Sequence, residues 1–114
     1  MDPTILEIAE AFSHHEFASA YDHLADDVCW RNFGGDTHDS RATVITACDA
    51  SAAYLAGVGT TFTSSRTIVG TDTVVVETTA DYVEGDETSS VSSCDLYDVV
   101  DGKITVITSY AAEL

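Results

Sequence analysis

Positive charge is scarce in this chain. Its 114 residues include 4 lysine and arginine residues against 20 aspartate and glutamate residues, which gives a formal net charge of −16 at pH 7. A surface of this sign repels nucleic-acid phosphates and anionic lipid headgroups. We therefore expect neither a nucleic-acid partner nor a membrane partner.

Long apolar runs are also missing. No stretch approaches the roughly 20 consecutive apolar residues that a membrane-spanning helix requires. The first residues, Met1–Thr4, lack the basic and apolar regions of a secretory signal peptide. These features predict a cytoplasmic protein.

Cysteine is sparse and follows no metal-binding pattern. Cys29, Cys48 and Cys94 are odd in number, which argues against a disulfide framework, and their spacing matches no zinc motif. The four histidines form no His-Glu-x-x-His pattern. We expect reduced thiols, no metal and no cofactor. The histidines are expected at the surface, with His23 and His38 the nearest to any pocket.

What the chain does have is enough apolar material for one core. Hydrophobic residues make up 45% of the sequence, and a chain of this length can bury a core without covalent cross-links. No linker, internal repeat or low-complexity tail interrupts it. We predict a single domain over residues 1–114.

The first half of the chain has helical spacing. Asp2 is a suitable N-cap and Pro3 a suitable first residue for an opening helix. The segment Ser13–Glu16 resembles a capping box, which predicts that one helix ends and a second begins there. A short strand is predicted at Val28–Asn32, and a third helix from Ser40 to Ala56.

From Thr60 onward the pattern changes to the alternation of β-strands. The short turns between the strands predict an antiparallel meander, and Asp101-Gly102 is a strong signal for a tight hairpin. Helices that precede strands indicate the α+β class. The predicted strands are Thr60–Val69, Thr73–Val83, Thr88–Val100 and Lys103–Tyr110.

Apolar residues occupy both faces of the last predicted strand. Ile107 faces one side, and Ile104, Val106 and Tyr110 face the other. A sheet that is apolar on both sides needs two covers, and the helices supply only one. A second subunit is the natural candidate for the other cover, so we predict a homodimer through the outer sheet face, with Leu96, Val106 and Tyr110 as contacts. The alternative is that these side chains are simply tolerated at the surface.

Three segments resemble the SnoaL-like, nuclear transport factor 2-like superfamily. The final hairpin, Cys94–Tyr110, is similar to the last hairpin of that family. Leu24–Trp30 resembles its "L-x-D-D-V-x-W" entry into the first strand, and Ser40–Ala42 resembles its "G-R-x-A-I" helix start, with Ser40 in place of glycine. The resemblance implies three N-terminal helices packed in the concave face of a strongly curved, mainly antiparallel sheet, which forms a cone with an apolar pocket.

The resemblance also suggests chemistry to compare. Ketosteroid isomerases of this superfamily keep one buried acid in the penultimate strand protonated, and Asp95 occupies the matching place. Their tyrosine and their carboxylate base fall at Ile8 and Asn32, which cannot perform those roles. The limonene-type epoxide hydrolases need an arginine in the strand that contains Val76–Tyr82, and none is present. The chain therefore resembles neither activity in its residue set.

Asp95 is the candidate catalytic residue. Strand alternation places this carboxyl on the same face as Tyr97, and apolar surroundings raise a carboxyl pKa until it serves as a proton donor near neutral pH. The alternative is a structural acid, hydrogen-bonded to Tyr97, Asn32 or the backbone. The pocket is expected to contain Phe12, Tyr21, Trp30, Asn32, Cys48, Tyr82, Tyr97 and Ile107.

Two classes of function stay open. The first is a small enzyme that moves protons on a hydrophobic carbonyl compound, in the manner of an isomerase or cyclase, with Asp95 as the acid. The second is a non-catalytic module that holds a small hydrophobic ligand or serves as a dimeric scaffold. An enclosed cavity containing Asp95 favours the first, and a cone filled by its own aromatic side chains favours the second.

The charge generates a prediction about salt. The acidic residues are scattered along the sequence, which favours adaptation to high cytoplasmic salt over a cation-binding cluster; the alternative is an acidic protein from an ordinary cytoplasm. We expect the melting temperature to rise between low and molar potassium chloride, because salt screens the repulsion between carboxylates. Thermal unfolding followed by circular dichroism measures this, and a flat or falling melting temperature would contradict it.

Overall fold

The structure is a computed structural model that describes residues 1–114. Six strands form a single sheet in the order β2-β1-β6-β5-β4-β3, in which only the β1–β6 pair is parallel. The predicted α+β fold, with three helices and a curved, mainly antiparallel sheet, is confirmed. The elements are α1 (Pro3–Ser13), a 3₁₀-helix (Phe17–His23), β1 (Leu24–Asn32), β2 (Thr37–Asp39), α2 (Arg41–Leu55), β3 (Gly59–Val69), β4 (Thr73–Glu84), β5 (Glu87–Val100) and β6 (Lys103–Glu113).

The start of α1 is as predicted, but its end is not. The Asp2 carboxylate accepts a hydrogen bond from the Thr4 amide at 2.9 Å and so caps the helix. The predicted capping box at Ser13–Glu16 is wrong. The Glu16 amide bonds the Ala11 carbonyl at 2.8 Å and the His15 amide bonds the Phe12 carbonyl at 3.0 Å, which is the Schellman pattern of a helix C-terminus. The next segment is a 3₁₀-helix, and Glu16 makes no side-chain cap.

The first two strands differ from the prediction. β1 begins at Leu24 and not at Val28, and it pairs with β2, a strand that the sequence pattern did not indicate. β2 has three residues, too few for an alternation to be recognised. The Ser40 hydroxyl caps α2 by accepting from the Thr43 amide at 3.3 Å, close to the predicted helix start.

A β-bulge changes the predicted faces of β6. Val99 pairs with Ile104 while Asp98 pairs with Val106, so Thr105 has no partner of its own. The extra residue brings Ile104 to the same side as Ile107, and both side chains are fully buried. The prediction that Ile104 faces outward with Val106 is therefore wrong, because strict alternation fails at a bulge.

The core lies between the helices and the inner face of the sheet. Its fully buried members include Val28, Val44, Tyr97, Ile104 and Ile107. None of the helices is both long and apolar enough to cross a membrane.

The outer face of the sheet is only partly covered. Leu96 and Val106 are half-buried there, and Tyr110 is 46% exposed and stacks on Phe33 with ring centroids 4.6 Å apart. The homodimer through this face stays a prediction.

The bulge has a measurable consequence. We expect Ile104→Ala to lower the free energy of unfolding by about 2–5 kcal/mol, the usual cost of emptying a buried isoleucine site. The matched control Val106→Ala should cost less, since its half-buried side chain leaves a smaller cavity. Urea denaturation measures both, and equal losses would contradict the bulged register.

Candidate functional site

Strand register places Asp95 in the middle of the inner sheet face. Asn32 pairs with Ser109, Ser109 with Asp95, and Asp95 with Val76, so these four residues form one row across β1, β6, β5 and β4. Directly paired residues point to the same face of a sheet. The Asp95 carboxyl therefore lies beside the Ser109 hydroxyl.

Two hydroxyl groups hold the Asp95 carboxyl. Ser109 Oγ donates to Oδ1 at 2.6 Å, and Ser13 Oγ, at the end of α1, donates to Oδ2 at 2.8 Å. Each hydroxyl has a further partner. Trp30 Nε1 donates to Ser109 Oγ at 3.0 Å, and the Tyr97 hydroxyl lies 2.5 Å from Ser13 Oγ. Asp95 is thus the centre of a chain of five side chains.

The two arms of this chain differ in polarity. Indole Nε1–H is only a donor, so Ser109 accepts from Trp30 and its single hydrogen goes to Asp95 Oδ1. Ser13 and Tyr97 both carry hydroxyl groups, which donate and accept, so their hydrogen bonds can be donated toward Oδ2 or in the opposite direction, from Oδ2–H to Ser13 and from Ser13 to Tyr97. A neutral Asp95 consequently carries its proton on Oδ2.

The surroundings of Asp95 favour its neutral form. Burial raises the pKa of the carboxyl, while the hydrogen bonds from Ser109 and Ser13 oppose that shift. All four basic side chains form hydrogen bonds or ion pairs with other residues. Burial and the Asp95 charge also raise the pKa of the Tyr97 hydroxyl well above its usual range, so Tyr97 stays protonated.

A cavity of about 280 Å³ opens onto this carboxyl. Its size is at the small end of ligand pockets, which span about 300–1,000 Å³. Aromatic and aliphatic side chains supply much of its wall, and the Asp95 carboxyl and serine hydroxyls supply polar groups. The lining includes Phe12, Phe17, Trp30, Leu55, Ser13 and Ser109.

The structure brings some of the predicted pocket residues together and separates others. Phe12, Trp30 and Asn32 line the cavity with Asp95. Tyr97, Cys48 and Ile107 are fully buried in the core and do not line it.

The two remaining tyrosines lie elsewhere. Tyr21 donates to Asp49 at 2.6 Å and lines a shallow groove. Tyr82 borders a second cavity, but its hydroxyl is 2.8 Å from His15 Nε2.

Sequence reasoning missed most of the cavity wall, and three of the missed residues are polar groups that bear on its chemistry. Ser109 was not recoverable from the hairpin alone, because an unbulged register pairs Asp95 with Thr108 and the bulge at Thr105 shifts the pairing to Ser109. Ser13 lies 82 residues from Asp95 in the chain, and no local pattern connects them. His15 was expected at the surface; it is half-buried and lines the cavity.

A larger cavity of about 380 Å³ shares Leu55 with the first, and its lining includes Tyr54, Glu84, Glu87 and Glu113. We place the candidate site in the smaller cavity, because a buried carboxyl with an ordered set of hydrogen-bond partners lies there. No group of three or more histidine, cysteine, aspartate or glutamate side chains is arranged to hold a metal ion.

Comparison with known proteins identifies the family. The sequence model of the SnoaL-like domain matches residues 5–107. The chain belongs to the SnoaL-like domain family. No curated protein matches it.

Solved structures agree with this family. An NTF2-like protein of unknown function from Cytophaga hutchinsonii has a TM-score of 0.87 and 27% sequence identity, over 98% of this chain and 99% of that chain. A Xanthomonas campestris protein provisionally described as a polyketide cyclase has a TM-score of 0.73 and 19% identity, over 94% and 86% of the two chains.

An epoxide hydrolase of the LEH-like type from M. tuberculosis has a TM-score of 0.70 and 20% identity, over 96% of this chain and 80% of that chain. At these identities the cyclase and the hydrolase share the fold with this SnoaL-like domain, and a fold of this kind does not determine activity.

The raised pKa of Asp95 predicts how stability depends on pH. The folded state holds this proton more tightly than the unfolded state, so ionisation of Asp95 lowers stability as pH rises from the unfolded value, near 4, through the folded value. We expect Asp95→Asn to fold, because the amide oxygen can accept from the Ser109 hydroxyl and the amide nitrogen can donate to the Ser13 hydroxyl, which in turn donates to Tyr97. Its gain in unfolding free energy over the wild type should be largest at neutral pH and shrink toward pH 4.

Urea titrations of both proteins between pH 4 and 8 measure this difference. A variant that is less stable than the wild type at pH 7 would show that the ionised carboxylate is itself the stabilising form.

Proposed function

We propose that this SnoaL-like domain binds a small, hydrophobic carbonyl compound in the 280 Å³ cavity and that Asp95 exchanges a proton with its oxygen. The observation that carries the proposal is a half-buried carboxyl, with a raised pKa, in the wall of a cavity lined largely by aromatic and small polar side chains. Perturbed carboxyl groups in clefts are typical of acid–base sites.

The hydrogen-bond polarity supports Oδ2 as the reacting atom. The Trp30–Ser109 arm donates to Oδ1 in both protonation states, so it fixes the carboxyl without competing for the proton. When Oδ2–H passes its proton to a ligand oxygen, a negative charge develops on the carboxylate. Ser13 then donates to Oδ2 while Tyr97 donates to Ser13, which stabilises that charge without moving any backbone.

Size and charge restrict the ligand. The cavity volume suits a compact molecule of one or two rings, and the net charge of −16 disfavours anions. Asn32 lines the cavity, and one of its two amide hydrogens goes to the Asp36 carbonyl at 3.2 Å, which leaves its second N–H and its side-chain oxygen for a ligand.

A non-catalytic binding module is the second candidate function. The aromatic wall supports it, since Phe12 packs edge-on against Phe17, Trp30 and Tyr97 with ring centroids 5.1, 5.2 and 6.0 Å away. Such a wall binds apolar rings whether or not a proton moves.

The test uses 1-indanone, a small bicyclic ketone. We expect it to shift the amide resonances of residues around Asp95, and we expect the wild type to catalyse exchange of its α-hydrogens for deuterium in D₂O. Asp95→Asn should retain binding and lose exchange about 100-fold or more, the usual contribution of a general acid. Binding is measured by amide shifts and exchange by proton NMR of the ketone.

Asp98→Asn is the matched control, because Asp98 lies on the same strand but on the opposite face, where it accepts from Thr73. Its exchange rate should equal that of the wild type. Binding without exchange would support the binding module, and an absence of binding would exclude this cavity as the site for such ketones.

A further inference from the structure

We infer that His15 is a second catalytic residue of the cavity and accepts the α-hydrogen of the carbonyl ligand while Asp95 protonates its oxygen. The inference rests on the proposed function and extends it by naming the base. His15 lines the cavity that contains Asp95, and it comes from the end of α1, a different layer from the strand that carries the acid.

The backbone holds His15 in an uncommon conformation. His15 has φ of +68° and occupies the position of the Schellman motif where glycine is usual. A side chain at this position places its Cβ close to the neighbouring carbonyl, which is unfavourable for most residues other than glycine, although asparagine, aspartate and histidine adopt this conformation more often than the rest. Backbone strain of this kind is frequent at functional sites, and the His15 side chain borders both the cavity and the shallow groove that Tyr21 lines.

The imidazole is held by aromatic side chains from three elements. Its ring centroid lies 5.7 Å from that of Phe17, 5.3 Å from that of Phe62 and 5.9 Å from that of Tyr82. Nε2 lies 2.8 Å from the Tyr82 hydroxyl. The ring is therefore positioned and does not move freely in solvent.

The other imidazole nitrogen, Nδ1, has no hydrogen-bond partner in the protein. No fully buried side-chain nitrogen or oxygen lacks a partner, so Nδ1 is accessible. In the tautomer whose Nε2–H donates to the Tyr82 oxygen, Nδ1 carries a free lone pair. Tyr82 then accepts the same hydrogen bond after Nδ1 takes up a proton, so its position also suits the imidazolium form.

The charged and titratable groups around His15 come from its own segment, α2, β4 and β5, whereas β3 and the 3₁₀-helix contribute the apolar rings of Phe62 and Phe17. The titratable groups are His14 and Glu16 on either side in the chain, Asp49 of α2 across the shallow groove, Tyr82 of β4, and Asp95 of β5 across the cavity. Burial, followed by the charge of His14, lowers the pKa of His15. A lowered histidine pKa and a raised aspartate pKa both increase the population in which the two side chains are neutral.

The reaction balances within this pair. The α carbon–hydrogen bond breaks, its proton goes to His15, and its electrons form the carbon–carbon double bond of the enol. The carbonyl oxygen takes the Asp95 proton, which leaves an imidazolium and a carboxylate. In D₂O the imidazolium exchanges its N–H for N–D with solvent, so its return to the α carbon, with return of the enol O–H proton to Asp95, restores the ketone with deuterium in place of hydrogen; return to another carbon moves a double bond.

The experiment compares α-hydrogen exchange of 1-indanone by the wild type, His15→Gln and the matched control His23→Gln. Glutamine retains a hydrogen-bonding group toward Tyr82 but accepts no proton, and His23, at the end of the 3₁₀-helix, does not line the cavity. We expect His15→Gln to lose exchange about 100-fold or more while its dissociation constant for 1-indanone stays within about twofold. His23→Gln should match the wild type.

The pH profile separates catalysis from a structural role. The wild-type rate should rise with pH through a histidine pKa below 6.5 and fall above the Asp95 pKa, and His15→Gln should lose the rising limb only. If glutamine prevents folding, His15→Asn provides the same test, since asparagine tolerates positive φ.

Two results overturn the inference in different ways. An exchange rate in His15→Gln within about threefold of the wild type, together with loss of exchange in Asp95→Asn, overturns the role of His15 and leaves the proposed function in place. A wild type that neither binds nor exchanges 1-indanone overturns the proposed function and this inference together.

Discussion

The structure depends on how one carboxyl group is accommodated inside an apolar layer. Burying a carboxylate without partners is strongly unfavourable, and full compensation by donors would make it permanently ionised. Asp95 has an intermediate arrangement with one serine donor on each oxygen, and no lysine or arginine bonds it. Burial still has the larger effect on its pKa, so the group remains able to exchange a proton.

This arrangement links the helical layer to the sheet. Ser109 and Asp95 are neighbours because the β5–β6 hairpin contains the bulge at Thr105, whereas Ser13 reaches Asp95 from the last residue of α1. Ser13 is 5% exposed and has two hydrogen-bond partners, both on β5, so the α1 terminus is fixed against the sheet through this hydroxyl. The same terminus continues into His15, and the position of that imidazole therefore follows from how α1 docks.

Patterns among adjacent residues predicted some features of the fold and the candidate site, but not those that depend on tertiary pairing. Alternation in β5 and the Asp101-Gly102 turn identified Asp95 and its face, because both are properties of adjacent residues. The bulge at Thr105 and the Schellman ending at His15 were missed, since the first depends on pairing with a neighbouring strand and the second on a positive φ that histidine seldom adopts. Ser13 joins Asp95 only through tertiary packing, which no spacing in the sequence records.

The acidic surface of the protein is compatible with a neutral ligand for a physical reason. The acidic surface repels anions over a distance of about a Debye length, about 8 Å at physiological salt, but exerts no net force on a neutral ketone. In the state that the proposed reaction requires, with Asp95 protonated and His15 neutral, the two side chains carry no formal charge, so entry of such a ligand would desolvate neither as an ion. Charges then arise only as a pair, inside the cavity, when a proton moves. Each charged form has a hydrogen-bond partner, Ser13 for the carboxylate and Tyr82 for the imidazolium, so the wall proposed to bind a neutral ligand would also stabilise the charge separation that the proposed proton transfer creates.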